Sequence, residues 1–93
     1  MPTLLVQNVK DKPFLKLLGL RIKQLRTQKG LTQIDLGVLM DNYAEQVGRI
    51  ERGQLNVSIC NLKKISEALE IPLPSLLDLK VKKLILKLST FNY

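Results

Sequence analysis

Ninety-three residues, 45% of them apolar, suffice for one small domain with one core and leave little room for a second. Fifteen Lys and Arg against eight Asp and Glu give a net charge of +7, which favours an anionic partner, nucleic acid ahead of a membrane surface, although a solvated basic surface gives the same count. With one cysteine, no histidine, no nucleophile elbow and no glycine-rich phosphate loop, an internal disulfide is excluded, and metal, general-base and covalent catalysis lack their usual groups.

The acidic residues are scattered singly, so neither an enzyme nor a cofactor is expected. Cys60, flanked by Ile59 and Leu62, reads as a half-buried helical thiol without catalytic duty. The lone cysteine and the lack of a secretory pattern at the N-terminus predict a reducing, cytoplasmic setting, and no apolar run has the length of a membrane span.

Residues 1–13 form an N-terminal arm in which the β-leaning TLLVQNV precedes the polar KDKP, and Pro13 disfavours helix at Lys12. From Phe14 to Lys29 the apolar positions Leu15, Leu18, Ile22 and Leu25 recur at three- and four-residue steps, with Lys16, Arg21, Lys23 and Lys29 on the polar side, which predicts a first helix that stops at Gly30. Thr32 and Asp35 have the spacing of a capping box, so a second helix begins sharply, with Leu36 and Met40 on its core face. Gly37 within it costs roughly 1 kcal/mol relative to Ala unless another helix approaches closely. Asp41 and Asn42 mark a turn.

A third helix runs from Tyr43 or Ala44 to Arg52 and stops at Gly53. Val47 and Ile50 must face the core, which places Ala44, Glu45, Gly48 and Arg49 on the outer face. Residues 32–53 therefore read as two short helices joined by a tight bend, a helix-turn-helix. Ser58 caps a fourth helix with Leu62, Ile65 and Leu69 inward and Lys63, Lys64 and Glu67 outward, ending before Pro72. A short fifth helix from about Pro74 would bury Leu76, Leu77 and Leu79. Residues 80–93 form a C-terminal amphipathic extension with Val81, Leu84, Ile85 and Leu88 in one stripe and lysines at 80, 82, 83 and 87 beside it.

LGLRIKQLRTQKGLTQIDLG followed by RIERGQLNVSICNLKKISEALEIPLPSLLDL resembles the Cro/C1-type (XRE-like) helix-turn-helix domain of phage repressors, restriction-modification controller proteins and small bacterial regulators. The signals are the GLTQ start, the RIERG end at the proper separation and a following ISEAL helix with proline after it. The resemblance covers about residues 15–79 and implies an all-α, five-helix lambda-repressor-like domain over residues 14–79. It further implies that the third helix enters the DNA major groove with Ala44, Glu45 and Arg49 at base-contacting positions and Gln46 at their edge. The planar fork of Arg49 suits guanine O6 and N7, Glu45 suits the cytosine amino group, and Ala44 suits a thymine methyl. Gln33 at the start of the second helix, with Tyr43, Arg52 and Gln54 around the reading helix, stands where family members contact phosphates. Arg26 and Glu51 resemble the partners of a largely buried structural ion pair.

The sequence also departs from the family pattern. Asp41 replaces the usual glycine of the turn, Tyr43 the usual hydroxyl cap, and Gly48 interrupts the reading face. Leu20, Ile34, Val38 and Leu39 are apolar at positions the family usually keeps polar. Ile34 and Val38 lie one turn apart, a strip to be covered by a partner, by TLLVQNV or by the C-terminal helix. Two functions follow. One is a homodimeric, sequence-specific regulator of transcription on a near-palindromic double-stranded DNA operator, its half-sites roughly 34 Å apart; the other is an antitoxin-like module that uses the same fold to bind a protein. Membrane binding by the lysine-rich tail ranks third, because the pattern is short and lacks tryptophan.

Overall fold

The structure, a computed structural model, describes residues 11–41 and 43–79. Within them lie five helices and no strand: α1 Lys12–Gln28, α2 Gln33–Leu39, α3 Ala44–Glu51, α4 Ile59–Ala68 and α5 Leu73–Leu76. The arm motif TLLVQNV, Asn42 and the stripe Val81, Leu84, Ile85 and Leu88 fall outside the described residues.

Local chemistry explains where the helices begin. α1 starts at Lys12, two residues before the expected Phe14, because Asp11 caps it: its carboxylate accepts the Phe14 N–H at 3.1 Å. Pro13 then sits in the first turn, where a missing N–H breaks no helical hydrogen bond and the fixed φ suits the helix. At α2 the Thr32 hydroxyl accepts from Asp35 N–H at 3.0 Å while the Asp35 carboxylate accepts from Thr32 N–H at 2.8 Å. That backbone N–H, seconded by the Thr32 hydroxyl, holds the exposed Asp35 carboxyl below its ordinary value. Ser58 caps α4 by accepting from Asn61 N–H at 3.1 Å.

Stops and turns follow the same logic. Gly30 and Gly53 adopt φ of +72° and +73°, and Asp41 turns the chain between α2 and α3 with φ +61°, a conformation that Asp tolerates better than most residues.

One core holds the domain together. Leu18 and Ile22 of α1 meet Leu36 and Met40 of the α2 segment, Val47 and Ile50 of α3, Leu62, Ile65 and Leu69 from α4, and Leu76 and Leu79 at the end. Leu15 is also buried and Leu25 is half-buried against the cluster. Two expectations of burial are corrected. Leu77 stays 36% exposed because the four-residue α5 turns Leu76 inward, and Cys60 is exposed on α4 because Leu62 and Ile65 take the inward positions.

Two ties that span the fold are invisible to helical periodicity. Arg21, on the nominally polar side of α1, is half-buried and donates from Nη2 to the Ser75 carbonyl at 2.8 Å, fastening α1 to α5. Gly19 marks where α1 crosses the end of α3: a Cβ there would stand 2.5 Å from the Ile50 carbonyl oxygen and as close to that of Glu51.

Candidate nucleic-acid interface

α3 is mounted on the core by Val47, Ile50 and Glu51, all buried, with α2 packed extensively along it. What remains outward is short. Glu45 and Arg49 stand one turn apart and exposed, joined by a 2.8 Å ion pair between Arg49 Nη2 and Glu45 Oε1. This spacing is the ordinary geometry for helical charge pairs, and the pair restrains the arginine fork on the outer surface. Ala44 is half-buried at the start of the helix, and Tyr43, its N-cap, is exposed. Gln46 is half-buried at the edge of this face.

Gly48 does not lie open beside them, as periodicity suggests. It is buried, because the Arg52 guanidinium folds back over it: a Cβ on Gly48 would meet Arg52 Nη1 at 3.0 Å and Gln33 Oε1 at 3.5 Å. The missing side chain thus brings the start of α2 and the end of α3 together at one patch. Arg52 is steadied by Nε donating to Gln54 Oε1 at 3.3 Å.

Beneath the patch lies the charge network of Arg26 and Glu51. Arg26 Nε donates to Glu51 Oε2 at 2.6 Å and Nη2 to Oε1 at 3.0 Å, with the side chains 9% and 3% exposed. Arg26 Nη1 donates to the Leu31 carbonyl at 2.7 Å, and Gln33 Nε2 donates to Glu51 Oε1 at 3.0 Å. Gln33 therefore joins the buried pair to the surface. Its bond to Glu51 leaves Oε1 facing the Gly48 and Arg52 side.

The structure gathers Gln33, Tyr43, Ala44, Glu45, Gln46, Arg49, Arg52 and Gln54 on or immediately around α3, and sets Arg26 and Glu51 behind it. Sequence reasoning missed Lys12 and Lys16, which line an open cleft with Arg52, Gly53 and Gln54. The signal was present in their four-residue spacing, but their nearness to Arg52 depends on the tertiary fold. Among the described residues no helix is long and apolar enough to cross a membrane.

The model of the helix-turn-helix family matches residues 22–76. The control protein C.BamHI of Bacillus amyloliquefaciens is 38% identical over 63 residues, covering 67% of this chain and 78% of that protein. The restriction-modification controller protein C.AhdI from Aeromonas hydrophila superposes with a TM-score of 0.66 at 44% identity, over 67% of this chain and 94% of that one. The clp gene regulator ClgR from Corynebacterium glutamicum superposes with a TM-score of 0.72 at 22% identity, over 85% of this chain and 84% of that one, a likeness of fold alone. A capped two-helix unit seated on a buried Arg–Glu pair, matched by that family over most of its length, places the chain in the Cro/C1-type helix-turn-helix family of non-enzymatic, DNA-binding transcription regulators.

Proposed function

We propose that this chain binds double-stranded DNA as a homodimeric, sequence-specific regulator of transcription, with α3 laid in the major groove of a near-palindromic operator in the cytoplasm. Residues 14–79 form the DNA-binding domain, flanked by the 1–13 arm and the 80–93 extension. The observation that carries this reading is the outward Glu45–Arg49 pair on a helix whose opposite side is fixed in the core. A groove that admits one helix leaves such a face against the base edges, and a pre-aligned guanidinium donates twice to guanine O6 and N7. Ala44 and Gln46 flank that contact. Gln33, Tyr43, Arg52 and Gln54 meet phosphates and set the register of the helix on the duplex. The naming of two relatives as control or controller proteins supports a regulatory role.

Binding of wild type and Arg49→Ala to operator variants tests this reading. The mutant is expected to lose about 1–3 kcal/mol at one base position and to become indifferent to the base there. Its melting curve should match that of the wild type, since Arg49 is exposed. Equal discrimination by the two proteins at every position would defeat the assignment of α3 as the reading helix.

A second reading, a module that docks a protein, draws on one observation: Ile34, Val38 and Leu39 stay 66%, 73% and 55% exposed on α2. It is compatible with DNA binding in one molecule.

A further inference from the structure

We propose that Lys12 and Lys16, beside Arg52, each neutralise a phosphate of the DNA backbone alongside the segment read by α3; the inference rests on the DNA-binding reading above. The two lysines stand one turn apart at the start of α1, and both are exposed. They share an open cleft with Arg52, Gly53 and Gln54, so its lining holds three cations and no carboxylate. The ion pairs among the described residues, Arg26–Glu51, Lys29–Glu70 and Arg49–Glu45, use neither lysine. Asp11, the nearest acid in sequence, is engaged as the cap of α1 through its bond from Phe14 N–H.

The cluster is built by a close approach of backbones. Gly53 lies directly on the first turns of α1: a Cβ there would meet Lys16 Cγ at 2.8 Å and Lys16 Cα and N at 2.9 Å. This contact holds the turn after the reading helix against α1 and fixes Lys16 beside Arg52. Arg52 in turn reaches back over Gly48 toward Gln33. The positions proposed to touch phosphates therefore continue from Gln33 through Arg52 to the two lysines, a cationic rail along one flank of α3. Ammonium groups on flexible stems act as point charges, so the rail adds affinity and salt sensitivity without choosing a sequence.

The test uses the full chain and an operator duplex obtained by selection, with fluorescence anisotropy read across salt concentrations. The variants are the double substitutions K12Q/K16Q and K12R/K16R; glutamine keeps the stem of Lys16 that packs on Gly53, and melting curves verify the fold. Two lost contacts at about 0.9 each should lower the slope of log K against log salt by about 1.8 for the glutamine pair, with base preference unchanged. The arginine pair should restore the slope. A slope equal to that of the wild type overturns the proposal while leaving the reading helix intact, whereas a wild type that selects no operator removes the DNA-binding reading and this inference with it. Inorganic phosphate is titrated into the free protein as the second arm, with the Lys12 and Lys16 amide resonances followed by NMR. No saturable shift is expected below millimolar phosphate; a saturable one would make the cleft a free-anion site and overturn the assignment to DNA.

Discussion

Glu51→Ala is expected to destabilise the domain by about 3–5 kcal/mol, the cost of leaving a buried guanidinium without its carboxylate. Three donors converge on this carboxylate, two from Arg26 and one from Gln33, and both charged side chains are nearly sealed from water. Solvent cannot replace what is removed. Small domains are stable by only about 5–15 kcal/mol, so this single change takes a large share of the total. At about 4–8 °C per kcal/mol for a domain of this size, the melting temperature should fall by more than about 12 °C. An apolar double substitution, Arg26→Met with Glu51→Leu, should recover much of the loss, since it removes both charges and their desolvation together. An unchanged thermal unfolding curve for Glu51→Ala would show that the pair does not hold α1 to α3.

Gly19→Ala sets local propensity against packing, and the two predict opposite signs. Within a helix, Ala is favoured over Gly by about 1 kcal/mol, so α1 taken alone should gain. In the fold, the new methyl would land on the carbonyl oxygens of Ile50 and Glu51, which are backbone atoms at the end of α3 and cannot rotate away. α1 and α3 would have to separate, disturbing the Arg26–Glu51 pair that spans the same crossing. Overpacking a core typically costs about 1–3 kcal/mol, and a clash with backbone belongs at the upper end or beyond it. Urea denaturation should therefore show a loss of at least about 3 kcal/mol. Gly30→Ala is the control: beyond its own residue and chain neighbours nothing lies within 4 Å of its Cβ position, so its cost reflects only the left-handed φ of +72° and should be about 1–2 kcal/mol. A stabilised Gly19→Ala protein would contradict the close crossing of the two helices.

Features written in local chemistry were legible in the sequence. The Thr32–Asp35 box, the Ser58 cap, the glycine stops at 30 and 53 and the left-handed Asp41 each follow from one residue and its near neighbours, and each is found in the structure. Inward positions such as Ile22, Val47, Ile65 and Leu69 follow from the 3.6-residue period. What stayed hidden depends on segments far apart in the chain. Nothing around Gly19 announces that α3 passes over it, nothing around Arg21 names Ser75 as its acceptor, and the start of α1 at Lys12 depends on a cap outside the apolar rhythm.

The candidate site divides the same way. Periodicity placed Glu45 and Arg49 on one exposed face, where the structure also has them. The same periodicity misjudged Gly48, because it cannot show that Arg52 and Gln33 close over a position with no side chain of its own. The resemblance to known regulators singled out Gln33, Tyr43, Arg52 and Gln54. The neighbouring Lys12 and Lys16 became visible only once Gly53 was seen resting on α1.

Selection from a randomised double-stranded DNA library with the wild-type chain tests the central claim most directly. Two copies presenting α3 from one dimer should enrich a near-palindrome whose half-sites are centred about one helical turn apart, roughly 34 Å. Binding to that site should weaken steeply as salt rises, as expected when several phosphates are neutralised. Repeated rounds that enrich no site would contradict the claim, and would leave the exposed apolar face of α2 as the better guide to what this protein binds.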